Sequence, residues 1–409
     1  MPRHPAVAYL CLVRRMKRFI RYIAVVTLTL SSALLLCICL LSWALVSARA
    51  QRKDPSNQDP TPRETVRCGS TEDTIPRGLV VVLPPQGTRD QSRYLQALNN
   101  PFISGVAAQI NWRDIEPVEG KPDWSRLDGL FAAAESSNKW VKLDIFAGFF
   151  SPAWALEGAK TDQFKIPYGP GHGTVAKLPI PWDRVYLDRW FAFLKQLAER
   201  YGKSPAFRVI AAAGPTSVSE EMTLPSNSPP AKKKWRSDGY TPAKYLDAWE
   251  EVFHVYADSF PNQCVCVTAP GLPILEQGQS GRPARLRAKA NMVERAMRVF
   301  GRRLVIQSSD LHAGHARIEA FDGTDFIKSY SGRIITGFEM RGGSHGDIPS
   351  KVMGAEGNPP LALRRSIDKG MAANSAGQHI NYLVIYEGDV LSPDMQSVLK
   401  YAASLFDHR

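Results

Sequence analysis

The sequence predicts a (β/α)8 barrel, and three observations lead to this fold class. The 409-residue chain has the 44% hydrophobic and 22% charged content of an ordinary globular protein. From Gly78 onward, eight short apolar runs alternate with helical patterns, and eight is the strand number of such a barrel. No G-x-G-x-x-G follows the first run and no P-loop occurs, which argues against a doubly wound open sheet.

The predicted elements follow one another regularly. The strands are expected at 78–83, 103–110, 140–146, 207–213, 263–268, 303–307, 334–338 and 382–386. The helices are expected at 89–98, 124–136, 183–201, 241–260, 282–300, 315–330, 360–373 and 393–405. The third helix has the clearest pattern, because Leu187, Trp190 and Leu194 fall on one apolar stripe. Thr241 and Pro242 form a favourable N-terminus for the fourth helix.

Residues 1–50 have the pattern of a targeting segment. Five cations between Arg14 and Arg21 precede an apolar stretch that runs from Tyr22 to Val46, and Ala48-Arg49-Ala50 then offers a cleavage site. The segment is predicted to be a cleaved signal peptide or an uncleaved signal anchor. In both cases the rest of the chain is exported to the non-cytoplasmic side. Residues 51–77 are polar and aperiodic, which predicts a linker before a catalytic domain at 78–409.

Cysteine usage leaves two alternatives open. Outside the leader the chain has Cys68, Cys264 and Cys266. Cys264 and Cys266 lie two residues apart on one strand, where buried thiols packing as small hydrophobic groups are expected. A bridge from Cys68 to one of them is the alternative, and it would leave one thiol unpaired.

The charge does not indicate a nucleic-acid partner. The net charge is +12, but the leader contributes seven cations and no acid, so the remainder carries +12 − 7 = +5. A nucleic-acid-binding domain would need a concentrated basic face. The densest basic run, Lys232 to Arg236, is predicted to be a solvated loop.

Carboxylates at two strand ends suggest a reaction. Glu220 and Glu221 follow the fourth apolar run, and Glu339 ends the seventh. The C-terminal ends of barrel strands meet at one mouth, whatever their distance in sequence. Two carboxyl groups that face each other there are the equipment for cleaving a glycosidic bond, since one donates a proton and the other supplies negative charge. The sequence therefore predicts a sugar-processing enzyme.

The second and third units carry a longer pattern. Residues 109–120 read QINWRDIEPVEG, residues 123–128 read DWSRLD, and Ser151-Pro152-Ala153-Trp154 follows. This stretch resembles the segment after the second strand of (β/α)8 glycoside hydrolases, including β-galactosidase-like families of the retaining clan. The resemblance implies hydrolysis of O-glycosidic bonds in an oligo- or polysaccharide, with retention preferred.

The fourth unit resembles a second family. Gly214-Pro215, a glutamate at 220 or 221, and Pro225 follow the order of the general-acid motif of β-amylase. The segment departs from the Asn-Glu pair usual in the retaining clan, so an inverting hydrolase and a carbohydrate-binding barrel without activity remain alternatives. The resemblance implies Glu339 as nucleophile and Glu221 as acid/base, with Glu220 as the fallback.

Further residues near the strand ends are candidates for binding sugar. Aromatic rings pack against the apolar faces of sugars, and polar groups fix their hydroxyls. The candidates are Trp112, Trp154, Arg341, Tyr386, Glu387 and Asp389. Arg341 is also expected to keep Glu339 ionised. We expect no cofactor and no metal, because His172, His312, His315 and His345 lack metal-ligand spacing. The expected partner is a carbohydrate substrate.

Overall fold

The computed structural model describes residues 68, 75–226, 228–268, 282–314, 323–345 and 357–407. The predicted leader and most of the predicted linker lie outside these ranges. Within them, every helix is too short or too polar to cross a lipid bilayer.

Eight parallel strands form a closed barrel, as predicted. They are β1 (Gly78–Leu83), β2 (Gly105–Asn111), β3 (Trp140–Phe146), β6 (Phe207–Ala211), β7 (Cys264–Thr268), β8 (Leu304–Leu311), β9 (Ile335–Met340) and β10 (Tyr382–Tyr386). The order around the ring is β1-β10-β9-β8-β7-β6-β3-β2. The remaining two strands, β4 (Thr161–Lys165) and β5 (Val175–Pro179), form a separate antiparallel hairpin.

Helices connect successive strands around the outside of the barrel. They are α1 (Gln91–Leu98), α2 (Trp112–Ile115), α3 (Ser125–Ser136), α4 (Arg184–Tyr201), α5 (Pro229–Ser237), α6 (Pro242–Ser259), α7 (Arg282–Phe300), α8 (Thr324–Lys328), α9 (Pro359–Met371), α10 (Glu387–Leu391) and α11 (Gln396–Asp407). The N-caps confirm two sequence signals. Asp183 accepts a hydrogen bond from the Tyr186 amide at the start of α4, and Thr241 accepts one from Lys244 at the start of α6.

The structure differs from the prediction at α5. The basic run from Lys232 to Arg236 is helical rather than a loop, with Ser228 as its N-cap. Trp235 is fully buried in the middle of the run and stacks on Phe164 of the hairpin at a centroid distance of 4.6 Å. This aromatic contact fixes a segment whose charge alone predicted full solvation.

The inside of the barrel is apolar at its N-terminal end. Val80, Trp140, Ile335 and Tyr382 fill this floor and are at most 3% exposed. The indole of Trp140 donates a hydrogen bond to the carbonyl of Arg77, just before β1. The interior therefore becomes polar only toward the C-terminal ends of the strands.

A disulfide joins Cys68 to Cys264 at this floor. The expectation of free thiols is therefore wrong for Cys264, and the alternative bridge is present. The two Cα atoms lie 5.2 Å apart, which is within the ordinary range for a disulfide. Cys266 is the remaining thiol, and it is buried.

Candidate active site

Two loops at the C-terminal end of the barrel support the site, and they meet through backbone contacts. The Phe149 amide, after β3, donates a hydrogen bond to the carbonyl of Ser217, after β6. Gly148 adopts a φ of +58°, and a Cβ there would collide with the carbonyl oxygens of Thr216 and Ser217. Glycine is therefore required at position 148, because only glycine lets the loop after β3 come this close to the loop after β6, which carries Glu220 and Glu221.

Four charged side chains meet inside the barrel, near the ends of the strands. Lys142 and Asp144 alternate on the inner face of β3, and both are fully buried. The Lys142 Nζ lies 2.5 and 2.6 Å from the two carboxylate oxygens of Asp144. Asp144, Glu220 and Glu339 each place one oxygen within 4.8 Å of the others. Three acids and one amine thus share a site almost closed to water.

Lys142 remains charged in this site. Burial lowers the pKa of Lys142, but the negative charges of Asp144, Glu220 and Glu339 together raise it by a larger amount. The net pKa is above the ordinary value for lysine.

A register shift between β3 and β6 lies at Val141 and Lys142, and such irregularities often redirect side chains beside barrel sites.

Two amide side chains hold Glu339. The amide nitrogens of Gln109 and Gln307 lie 3.4 and 3.3 Å from its two carboxylate oxygens. The phenol of Tyr382 donates to the Gln307 oxygen at 2.8 Å, which orients that amide toward Glu339. Burial raises the pKa of Glu339 to about 7, while the Lys142 charge opposes this shift. Glu339 is 3% exposed, so small changes around it decide whether it carries a proton near neutral pH.

Glu220 is a carboxyl group of the cluster whose surroundings favour its protonated form. Burial, followed by the charge of Asp144, raises the pKa of Glu220 well above its ordinary value. Its Oε2 atom is buried and makes no hydrogen bond with the described residues. A carboxyl group that is held in its protonated form, with one oxygen free of protein hydrogen bonds, can donate its proton to a ligand.

Glu221 lies apart from this cluster, under the tip of the hairpin. The phenol of Tyr168, which follows β4, donates a hydrogen bond to Glu221 Oε2 at 2.8 Å. Burial raises the pKa of both groups, although Tyr168 keeps 37% of its surface exposed. These two side chains are largely surrounded by protein and still reach solvent. Such side chains are typical of a concave surface. The charge of Glu221 is close enough to raise the pKa of Glu339.

Among the predicted sugar-binding residues, Tyr386 lies beside the carboxyl groups. It is half-buried at the end of β10. Burial raises the pKa of its phenol, and the charges of Glu339, Glu220 and Glu221 add to this shift. Its position is therefore at the wall of the carboxyl site.

Trp112 has a packing role in the structure instead of the predicted ligand contact. Its side chain has no exposed surface, since its ring packs against Trp190 at 5.0 Å and Phe193 at 5.4 Å. Its indole donates to Glu116 Oε2. Trp154 is half-buried at the edge of this aromatic group and donates to the Glu116 carbonyl at 2.9 Å.

The predicted polar candidates contact other protein groups. Arg341 pairs with Asp310 at 3.3 Å and is half-exposed, so the expectation that it holds Glu339 is wrong. Glu387 is 6% exposed and pairs with Arg93 at 2.9 Å. Asp389 is fully buried and accepts the Ser344 amide with both oxygens. Glu387 and Asp389 therefore differ from the central carboxyl groups in their position and in their protein partners.

The oxygens of Asp144, Glu220 and Glu339 are spaced closely enough to surround a cation. The Lys142 amine already supplies a positive charge there, bonded to both oxygens of Asp144. We therefore assign no metal to this cluster.

The sequence prediction did not include Lys142, Asp144, Gln109 or Gln307. A signal was nevertheless present on β3, where Lys142 and Asp144 occupy alternate positions of an otherwise apolar strand. In a barrel, alternate strand residues face the interior, so two polar residues spaced in this way indicate a polar interior layer.

Comparison with known proteins supports the fold. Over 80% of its length, the chain is similar to 98% of the β-amylase catalytic domain from Paenibacillus polymyxa, with 11% identity and a TM-score of 0.52. Xylanase B from Clostridium stercorarium F9 matches 78% of the chain over 88% of its own length, with 11% identity and a TM-score of 0.45. A psychrophilic glycoside hydrolase family 10 endo-β-1,4-xylanase matches 76% over 86% of its own length, with 12% identity and a TM-score of 0.43. No protein-family model and no curated protein matches the chain.

Proposed function

We propose that the chain is a glycoside hydrolase that cleaves O-glycosidic bonds in an oligo- or polysaccharide with retention of configuration. The observation that carries this proposal is the Glu220–Glu339 pair, whose nearest carboxyl oxygens lie within 4.8 Å at the mouth end of the barrel. Retaining enzymes hold their two carboxyl groups about 5 Å apart, whereas inverting enzymes need about 6.5–9.5 Å for a water molecule.

The surroundings of the pair assign the two roles. Burial and the charge of Asp144 raise the pKa of Glu220, and its Oε2 makes no hydrogen bond with the described residues, so it donates its proton to the glycosidic oxygen. Glu339 has two amide donors on its oxygens, and it attacks the anomeric carbon as a carboxylate. The leaving sugar departs with the proton from Glu220. Glu220 then removes a proton from water, which attacks the glycosyl ester and releases the product and free Glu339.

An inverting mechanism is the second candidate, with Glu221 as the acid. Glu221 is more accessible than Glu220, it is the glutamate that the sequence motif selected, and it lies outside the closely spaced trio. In this mechanism Glu339 would activate a water molecule instead of attacking the sugar. The two candidates therefore differ both in the essential acid and in the anomer that is released.

A panel of aryl glycosides and polysaccharides tests the proposal. We expect Glu339→Gln to reduce kcat/KM at least about a hundredfold, while Glu199→Gln, on the exposed side of α4, leaves it unchanged. Glu220→Gln should lose less activity on substrates with good leaving groups, because they need little protonation. If Glu221→Gln shows this pattern instead and NMR detects the inverted anomer, the inverting candidate is correct.

A barrel that binds carbohydrate without cleaving it makes a different prediction. It would give no turnover on any sugar, together with equal binding by the wild type and Glu339→Gln. That combination would refute the hydrolase proposal.

We further propose that the protein is exported, with the barrel on the non-cytoplasmic side of the membrane. The Cys68–Cys264 disulfide supports this location, because disulfides persist mainly in oxidising compartments. Fractionation of cells, combined with N-terminal sequencing of the mature chain, would also distinguish a cleaved signal from an anchor. Recovery of the chain in the cytoplasm with reduced cysteines would contradict the proposal.

A further inference from the structure

The two loops that form the mouth carry an unbalanced set of exposed charges. One loop covers residues 147–182 and the other covers residues 212–241. In the parts of these loops that the structure describes, the exposed charged side chains are six cations and one carboxylate. The cations are Lys160, Lys165, Lys177, Lys232, Lys233 and Arg236, here called the cationic rim, and the carboxylate is Glu157.

The hairpin places two of these cations side by side. Lys165 is paired with Val175, and Gln163 is paired with Lys177, so the two lysines are diagonal neighbours on one face. Diagonal residues of an antiparallel pair lie about 7–8 Å apart. The opposite face carries Phe164, which packs on Trp235 of α5. Both lysines are exposed, and the described outer-face positions between them carry no carboxylate.

Two other carboxylates of these loops have partners away from this face. Asp162 lies on the inner face of the hairpin and pairs with Lys234, and Glu221 accepts the hydrogen bond from Tyr168. The positive charges of Lys165 and Lys177 therefore lie close together on the exposed face of the hairpin. Two neighbouring cations on an exposed face attract an anionic ligand.

The hairpin also connects this face to the carboxyl site. Tyr168 lies at the tip of the hairpin, three residues after Lys165, and contacts Glu221. A chain lying along the outer face would thus be directed toward Glu221, whose charge acts on Glu339 of the proposed catalytic pair. Its own negative charges would meet lysines at the rim and stay away from the buried acids.

From this placement we propose that the substrate is an anionic polysaccharide, bound at the outer face of the hairpin by Lys165 and Lys177. The proposal rests on the proposed glycosidase function and adds the substrate class. The field of the whole cationic rim increases the rate of encounter with a polyanion. Salt weakens this effect, since the charges are exposed.

Binding measurements on the full-length chain test the substrate class separately from cleavage. The probes are polygalacturonate, alginate and hyaluronan, each beside its carboxyl-reduced, neutral counterpart. Glu339→Gln serves as the background, so that cleavage does not interfere. The test variant adds Lys165→Gln and Lys177→Gln. The control adds Lys195→Gln and Lys203→Gln, which remove two exposed charges on α4 and just after it.

We expect at least one acidic polymer to bind roughly tenfold more tightly than its neutral counterpart, with affinity falling as salt increases. The hairpin variant should lose this preference, and the control should keep it. Equal binding of acidic and neutral polymers would overturn the proposal. So would equal loss in both double variants.

Two further outcomes separate this inference from its alternatives. If the wild type hydrolyses neutral polymers and ignores all acidic ones, the substrate class is wrong and the glycosidase proposal stands. If the hairpin variant loses binding to an acidic polymer that the wild type never cleaves, the hairpin is an anion-binding surface and the glycosidase proposal is wrong. Lysine-dependent binding to phosphatidylglycerol vesicles, without binding to any polymer, would show a membrane-contact surface and overturn the proposal.

Discussion

At the scale of single residues, Lys142 has the largest influence on the charge of the site. It interacts electrostatically with Asp144 on its own strand, Glu220 on the loop after β6, Glu339 on β9 and Cys266 on β7. One cation thus compensates three acids in a volume almost without water. The proton distribution of the proposed catalytic pair, Glu220 and Glu339, depends on this amine.

Lys142→Met should change the pH profile of the reaction. Glu339 has a pKa raised to about 7 and must be ionised to act, so kcat/KM falls as the pH drops below about 7. Loss of the Lys142 charge raises the pKa of Glu339 further. The acid limb of the kcat/KM profile should therefore move to higher pH.

The control for this prediction is Lys142→Arg, which keeps the charge and should keep the acid limb closer to that of the wild type. Lys142→Met also leaves Asp144 buried without its partner, which costs about 3–5 kcal/mol of stability. A lower melting temperature with an unmoved acid limb would mean that Lys142 has a structural role alone.

His345 gives the protein a pH-dependent contribution to stability. Its two ring nitrogens lie 3.1 Å from Asp389 and Asp394. Burial lowers the pKa of His345, but these hydrogen bonds raise it more, so the net shift is upward. A raised histidine pKa stabilises the fold below the unfolded value of about 6.5 and ceases to do so as the pH rises through the folded value.

We therefore expect His345→Gln to lower the melting temperature at pH 6 and to have little effect at pH 9. Thermal unfolding of both proteins across this range is the measurement. His254→Gln, whose position is on the exposed side of α6, provides the comparison. A difference between wild type and His345→Gln that grows with pH would have the wrong sign.

At the scale of elements, β9 and β10 fit together through one glycine. Gly337 lies opposite Tyr382 in the register, and a Cβ on Gly337 would come within 2.6 Å of three ring atoms of that tyrosine. Tyr382 in turn orients Gln307, which holds Glu339. The pairing of two strands is thereby coupled to the geometry of Glu339, the proposed nucleophile.

Gly337→Ala should destabilise the protein by about 1–3 kcal/mol, because the ring must move in a packed interior. It should also reduce kcat, since the displaced Tyr382 no longer positions Gln307. Gly388→Ala, in α10, should be nearly neutral, because a Cβ added there would meet no atom within 4 Å. Denaturant unfolding and steady-state kinetics check both. Unchanged stability in Gly337→Ala would contradict the packing argument.

The disulfide links the segment before β1 to β7. It closes a loop with a sequence separation of 196 residues. Cys68→Ser should therefore lower the free energy of unfolding by about 2–5 kcal/mol, as measured in denaturant without reductant. Cys266→Ser should cost less, because Cys266 forms no bridge. Equal losses in the two variants would mean that the bridge does not form.

Elements were predictable where a short, largely apolar run lies between polar flanks. The runs at β1, β3 and β10 have the predicted bounds because each is a buried apolar strand with polar flanks. The hairpin of β4 and β5 was not predicted, since it buries few residues and lies in the long loop at 147–182, which is rich in glycine and proline. For α5, the lysines of the helix obscured Trp235, the residue that anchors it.

At the scale of the whole molecule, the sequence predicted that the site lies at the mouth of the barrel, but it did not predict the detailed geometry of the carboxyl groups there. Glu339 was predictable because it ends a regular strand, whose position in the ring is determined by strand order alone. The choice between Glu220 and Glu221 was not predictable, because the segment after β6 has no regular structure. Its course depends on tertiary contacts such as that between Gly148 and Ser217.

The apolar floor of the barrel has a consequence for the movement of substrate. Trp140 and Tyr382 pack edge to face at 5.8 Å across the interior, below the layer of carboxyl groups. A polymer cannot thread through a bore that is closed in this way. Under the proposed function, a glycan must enter and leave from the same side, so the first fragment has to leave the mouth before water can reach the second step through the vacated space.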